Sequence, residues 1–200
     1  MAFWSAFFSV WILFFATNVF AEDSDHSVQF DVSLNFGLPV SGPLLNGGFA
    51  LRADGFIEFA TTYMGFTGFL RSGVGEAFRT PEYEEPTELQ IKGDEVVFGG
   101  KYLLSSRGRT HSSVYVGYGI GTGDFEATDS LGTTTEGSVD YSLYLLGVET
   151  KIFYWESIFV KLRGEAWFIR PDDSQLPETS RSFSWGVPMP LFGVGAGFLF

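Results

Sequence analysis

Apolar and polar residues alternate along most of this chain with a period of two. The clearest run is Ser27 to Leu38. Val28, Phe30, Val32, Leu34 and Phe36 fall on one parity, and Ser27, Gln29, Asp31, Ser33 and Asn35 on the other. Successive side chains of a strand point to opposite faces, so the pattern predicts an amphipathic β-strand. After a Gly- and Pro-rich turn at 39–48, Phe49, Leu51 and Ala53 open a second strand, with Ala50 and Arg52 between them. Asp54-Gly55 has the composition of a tight hairpin turn. A third strand is expected from Phe56 to Leu70, where Ile57, Phe59, Tyr63 and Phe69 outward would turn Glu58 inward. Arg71 to Glu88 reads as a loop, with two prolines and the acidic cluster Glu82, Glu84, Glu85 and Glu88. From Leu89 to Leu104 the parity slips near Gly93-Asp94: Leu89 and Ile91 are odd, while Val96, Phe98, Tyr102 and Leu104 are even. A bulge, or a strand running on above a membrane, accounts for such a slip.

Beyond a polar turn at 105–110, Val114, Val116, Tyr118 and Ile120 alternate with Ser113, Tyr115, Gly117 and Gly119. Residues 121–138 read as a polar loop. In Val139 to Ile152, placing Tyr144, Leu146, Val148 and Ile152 outward puts Glu149 and Lys151 inside. A turn at 153–157 leads to Ile158, Val160, Leu162, Ala166 and Phe168, with Lys161, Arg163, Glu165 and Trp167 between them. Arg170 to Ser182 is the last loop and Phe183 to Phe200 the last strand. The total is about eight strands. Their apolar faces are continuous and their opposite faces too polar for a soluble core. That combination suits a transmembrane antiparallel up-and-down β-barrel, greasy outside and cramped within. Short connections alternate with long ones, and an even count puts both termini at the short-turn end. Tyr154, Trp155, Trp167 and Trp185 fall near strand ends, where amphipathic rings suit a membrane interface.

The last strand carries the sharpest signal. Phe192, Val194, Ala196, Phe198 and Phe200 alternate with Gly193, Gly195, Gly197 and Leu199. Five alternating apolar positions closing on Phe resemble the C-terminal signal of bacterial outer-membrane barrels, which the barrel-assembly machinery reads. The whole pattern resembles the small OmpA- and OmpX-like eight-stranded barrels. The resemblance implies insertion in the outer membrane, contact with its lipid and lipopolysaccharide, and a monomer.

Residues 1–21 are uncharged and apolar and end Val19-Phe20-Ala21 before Glu22-Asp23. They read as a secretory signal, although without the usual basic residue near the start, and residues 22–200 as the barrel domain. With 24 acidic and 12 basic residues the net charge is −12, which argues against nucleic acid as a partner. There is no cysteine, hence no disulfide or thiolate chemistry. After residue 21 no apolar run is long enough for a membrane helix.

Candidate chemistry lies on the inward parity. Asp31, Glu58, Glu149 and Glu165 can meet Arg52, Lys101, Lys151, Lys161 and Arg163. Paired charges in so narrow a lumen make a plug, or alternatively a proton or ion path. Glu149 is expected to face Lys161 across the hairpin near Trp155. The remaining acid belongs to surface loops, solvated, bridged by cations to lipopolysaccharide, or docking a basic partner. No calcium-loop spacing occurs, and no cofactor, metal or catalytic residue is assigned. His111-Ser112-Ser113 with Glu126 superficially resembles the His, Ser and Glu of outer-membrane lipid A deacylases. His111 and Glu126, however, belong at opposite ends of a strand. A non-enzymatic barrel with a structural or binding role is therefore expected; the alternatives are a lipid A-modifying enzyme or a narrow small-solute channel.

Overall fold

The computed structural model describes residues 27–37, 40–41, 49–63, 66–79, 88–129, 131–177 and 189–200. The segment 1–21, Glu82, Glu84, Glu85 and Trp185 lie outside the described residues, as does most of the expected turn at 39–48. Among the described residues there are nine strands: β1 Ser27–Gly37, β2 Val40–Ser41, β3 Phe49–Tyr63, β4 Phe66–Arg79, β5 Glu88–Arg107, β6 Thr110–Thr128, β7 Thr134–Phe153, β8 Ile158–Pro171 and β9 Met189–Leu199. Each long strand pairs antiparallel with its neighbours, and β1 pairs with both β3 and β9. Eight strands thus close a ring, and the two-residue β2 pairs beside it with the start of β3. Closure leaves no open sheet edge, so the ladder hydrogen bonds of the ring are satisfied within the chain.

The alternation decides which face looks where. Val116, Tyr144, Leu146, Val148, Leu162, Phe192, Val194 and Phe198 are exposed on the outside. Their inward neighbours Tyr115, Leu145, Glu149, Arg163 and Leu191 are buried. The apolar band runs on β5 from Leu104 to Val96, roughly 26 Å along the strand and about 20 Å along the axis of a tilted barrel. At the upper end the logic inverts. There Lys92 and Asp94 point out while Leu89 and Ile91 are buried, packed with Phe125, Ala127, Val139, Ile169, Leu176 and Met189. The apparent parity slip in β5 is therefore a strand extension beyond the apolar band. Pairing runs unbroken through Gly93 and Asp94, and the one register shift between β5 and β6 lies at Leu103/Ser105.

Several expected boundaries are corrected. Asp54-Gly55 is not a turn: β3 runs straight through it, because Asp54 is a buried inward residue and Gly55 sits between Leu34 and Val74. The reversal comes between Tyr63 and Phe66. As a result β4 occupies residues 66–79, much of which had read as loop, and Phe69 points inward, 3% exposed. Residues 121–138 are mostly strand as well, with β6 and β7 joined by a tight turn at 129–133 where Gly132 takes φ 78°. Gly108, at φ 55°, turns β5 into β6; both angles favour a residue without Cβ. β8 extends to Pro171 before the last connection. Trp167 is fully buried inside the ring and is no interface residue, whereas Tyr154 and Trp155 are exposed at the β7–β8 turn.

Candidate functional site

The interior holds two networks of charge, one above the other, and strand register explains both. In the lower network Glu58 of β3 lies directly across from Arg71 of β4. Glu58 Oε2 accepts from Arg71 Nε at 2.5 Å, and Glu58 Oε1 accepts from Lys101 Nζ at 2.5 Å and Lys161 Nζ at 3.2 Å. Arg163 Nη2 stands 3.7 Å from the same carboxylate. Glu58 is thus a hub touched from β4, β5 and β8. Glu149 accepts from Lys101 at 2.9 Å and pairs with Lys151 at 3.3 Å. Lys151 also donates to Gln29 Oε1 at 2.5 Å.

Glu165 takes four donors: Arg71 Nη1 at 2.6 Å, Tyr115 OH at 2.5 Å, Trp167 Nε1 at 2.6 Å and Arg163 Nη1 at 3.5 Å. Tyr115, Gly147 and Glu165 occupy one row across β6, β7 and β8. A Cβ on Gly147 would run into the Tyr115 ring. The bare glycine lets the ring lie across β7, so its hydroxyl reaches Glu165 two strands away.

The upper network repeats that device. Glu95, Gly121 and Tyr141 form a row across β5, β6 and β7. The Tyr141 ring covers Gly121, leaving no room for a Cβ there, and Tyr141 OH donates to Glu95 Oε1 at 3.1 Å. Arg52 Nη2 donates to Glu95 Oε2 at 2.5 Å, and Arg52 Nε to Asp54 Oδ2 at 3.2 Å. Between the networks lies an aromatic floor. Trp167 stacks on Phe56 at 5.7 Å, and the Arg52 guanidinium lies 4.4 Å over its ring. The same Trp167 donates downward to Glu165, so one side chain touches both networks.

Of the residues expected inside, Glu58, Lys101, Glu149, Lys161, Arg163 and Glu165 come together, each at most 5% exposed, with Lys151 at the edge. Arg52 is inside but belongs to the upper network. Asp31 lies across from Glu58 and Gly197 in the ladder, and its side chain is outside what is described. Glu149 does not face Lys161: the cross-strand partner of Glu149 is Arg163, and Lys161 sits on Glu58. Reading from the sequence missed Arg71, Asp54 and Glu95. The first two were hidden by the misplaced hairpin, and Glu95 by the mixed parity of β5. Unbroken odd parity from Leu89 to Lys101 was the signal that would have found Glu95.

Charges this deep require partners, because an uncompensated ion in a low-dielectric interior costs several kcal/mol. The arrangement supplies them, and the Arg71 guanidinium also lies 4.7 Å over Phe69 and 4.9 Å over Tyr115. No group of three or more His, Asp or Glu side chains able to hold a metal occurs among the described residues. His111 and Glu126 are at opposite ends of β6, roughly 50 Å of extended strand apart, beyond any hydrogen bond.

No family model and no curated protein matches the chain. Among solved structures it is similar to the N-terminal β-barrel domain of Pseudomonas aeruginosa OprF, at 12% identity over 87% of this chain and 97% of that one, TM-score 0.47. It is also similar to Ail, the attachment invasion locus protein of Yersinia pestis, at 13% identity over 88% and 97%, TM-score 0.44. A major outer membrane protein from Thermus thermophilus is similar at 11% identity over 86% and 99%, TM-score 0.48.

Proposed function

We propose that this chain is a bacterial outer-membrane β-barrel whose interior is closed by ion pairs, with a structural or binding role exercised by its acidic outer connections. The carrying observation is the inversion of polarity. A continuous apolar band faces out while Glu58, Arg71, Lys101, Lys161 and Glu165 are buried within. A soluble protein places these the other way round, and only a closed barrel or a helix satisfies its backbone in lipid. The interlocked side chains fill an interior that eight strands leave only wide enough for side chains, which supports a plug over a conducting path. β9 supports recognition by the barrel-assembly machinery: Phe192, Val194, Ala196, Phe198 and Phe200 are exposed on its outer face beside the seam with β1. The separation of His111 from Glu126 supports a role other than lipid A deacylation. We read the barrel as a monomer in contact with outer-membrane lipid and lipopolysaccharide.

The test is a pair of measurements on purified protein. In detergent the unheated sample should migrate faster on a gel than the boiled one, with a β-type circular dichroism spectrum. In planar bilayers it should give no stable conductance steps. Solubility without detergent would overturn the membrane reading, and regular open-channel steps would overturn the plug.

A further inference from the structure

The two rims of the barrel differ in the sign of their exposed charge. Among the described residues, the exposed acids Glu88, Asp124, Glu126, Glu136, Asp172 and Asp173 crowd the long-connection end. The short-turn end sets Glu156 alone against two exposed cations, Arg107 and Arg109. On β5 the apolar band stops at Leu104, and the chain then runs Ser105-Ser106-Arg107-Gly108-Arg109. Arg107 lies opposite Thr110, and Thr110 opposite Ile152, which is exposed on the outer wall. Arg107 is therefore on the lipid-facing parity, roughly 10 Å along the strand below Leu104.

This turn is fastened in place. Gly108 closes it in the left-handed region, and Phe153 N donates to the Arg109 carbonyl at 2.8 Å, which ties it to the end of β7. The His111 ring packs on Phe153 beside it, with centroids 4.8 Å apart. Neither guanidinium has a carboxylate partner among the described residues, unlike Arg52, Arg71 and Arg163 inside the ring. A second feature stands just above. Tyr63, Phe66 and Tyr102 are neighbours across β3, β4 and β5, all exposed on the outer wall. The Phe66 ring lies over Gly100, where a Cβ would leave it no room. Tyr154 and Trp155 add exposed rings at the β7–β8 turn. Such rings mark the level where hydrocarbon gives way to head groups. Two unpaired arginines thus follow directly on an aromatic girdle, at the depth where lipid phosphates lie.

We propose that the short-turn rim binds an anionic phospholipid of the periplasm-facing leaflet, its phosphate at Arg107 and Arg109 and an acyl chain along Tyr102 and Leu104. The proposal rests on the membrane reading above, in which this end meets the phospholipid leaflet and the opposite end meets lipopolysaccharide. Charge complementarity selects the head group. A guanidinium fork matches two phosphate oxygens, and each arginine near an anionic leaflet adds to the attraction. A zwitterionic lipid brings an ammonium that opposes the two arginines and finds only Glu156 among the described acids of this rim.

The experiment is native mass spectrometry of the full chain released from micelles doped with equal phosphatidylglycerol and phosphatidylethanolamine. We expect retained glycerol lipid to exceed ethanolamine lipid by roughly three- to five-fold, the discrimination that a few exposed ion pairs supply. Arg107→Gln with Arg109→Gln should bring the ratio close to one. Lys92→Gln, which removes an exposed cation at the opposite rim, should leave it unchanged. Equal retention of both lipids by the unmodified chain would overturn the proposal. So would a preference that survives the double variant, or one that Lys92→Gln removes as well, which would make it a property of overall charge. If the double variant instead lost cosedimentation with purified peptidoglycan while its lipid ratio held, the arginines would belong to the cell wall. Heat-dependent gel mobility of the same samples keeps the readings apart. A barrel that folds without discriminating lipids sinks this inference alone, and a chain with no such mobility shift sinks the membrane reading with it.

Discussion

The lower and upper charge networks use the same component in different settings. Each has a glutamate reached by a tyrosine that lies across a glycine: Tyr115 over Gly147 to Glu165 below, Tyr141 over Gly121 to Glu95 above. The tyrosines lean opposite ways round the ring, one from β6 toward β8 and the other from β7 toward β5. What differs is redundancy. Among the described residues the lower network joins Glu58, Glu149 and Glu165 to five cations, so most groups touch two partners. Above, among the described residues, Arg52 bridges Asp54 and Glu95, and Tyr141 adds a second donor to Glu95. The lower network lies within the apolar band, where water offers no relief; the upper lies at its edge. Among the described residues the deep glutamates Glu58 and Glu165 each meet four donors and Glu95 two, as expected if each buried ion must find compensation inside the wall.

The largest break in that comparison is the loss of the lower hub. Glu58→Ala removes the carboxylate that Arg71, Lys101, Lys161 and Arg163 share. A loss of about 3–5 kcal/mol in unfolding free energy is expected, the cost of stranding buried charge. Urea unfolding in lipid micelles, followed by the fluorescence of buried Trp167, measures it. Arg52→Ala should come next, toward the lower end of the same range of about 3–5 kcal/mol. It takes the bridging cation from Asp54 and Glu95 and uncovers Trp167, but closer to the edge of the band. Equal losses for Glu58→Ala and Arg52→Ala would mean that depth does not separate the networks.

The shared component is tested at its glycines. Gly147→Ala sets a methyl against the Tyr115 ring, and Gly121→Ala sets one against Tyr141. Overpacking of this kind costs about 1–3 kcal/mol. Since both rings are held by a hydroxyl–carboxylate bond, similar losses are expected in the two variants. Tyr115→Phe combined with Gly147→Ala should be less than additive, because either change already breaks the Tyr115–Glu165 contact. Full additivity would mean that the ring and the glycine act independently.

How much of this could be read from the chain depended on the run of parity. In β1, in β6 from Val114 to Ile120, and in β8 and β9 the alternation is unbroken, so the inward setting of Lys161, Arg163 and Glu165 is legible from spacing alone; in β7 apolar residues fall on both parities, and Glu149 and Lys151 are placed inward by their charge. β3 and β4 were not legible. Asp54-Gly55 carries the strongest short turn signal in the chain, but Asp54 is the inward partner of Arg52. A Cβ on Gly73 would meet the Gly55 carbonyl, so this is also a place where adjacent backbones approach closely. A turn signal and a packing requirement produce the same dipeptide. Taking the first reading shifted the hairpin and hid Arg71. Partner choice was hidden for another reason. Glu58 reaches Lys101 and Lys161, distant in sequence, because the tilt of the strands brings their levels together, and tilt leaves no local pattern.

The finest test concerns two residues of the lower network that share it without touching. Glu149 bonds Lys101 and Lys151, while Lys161 bonds Glu58. Across the β7–β8 ladder Glu149 meets Arg163, and Lys161 meets Lys151. A simple count around the turn would put Glu149 opposite Lys161, but the register is two residues away from that. A double-mutant cycle separates direct contact from shared surroundings. Alanine at Glu149 and Lys101 should give a coupling of roughly 1.5–3 kcal/mol, as for a buried charge-assisted hydrogen bond. The same cycle on Glu149 and Lys161 should give about 0.5 kcal/mol, the coupling of charges that share a network but no bond. Both cycles are read from unfolding midpoints in one micelle system. A Glu149–Lys161 coupling as large as that with Lys101 would show that the carboxylate turns toward β8, and that the hub role of Glu58 is divided between the two glutamates.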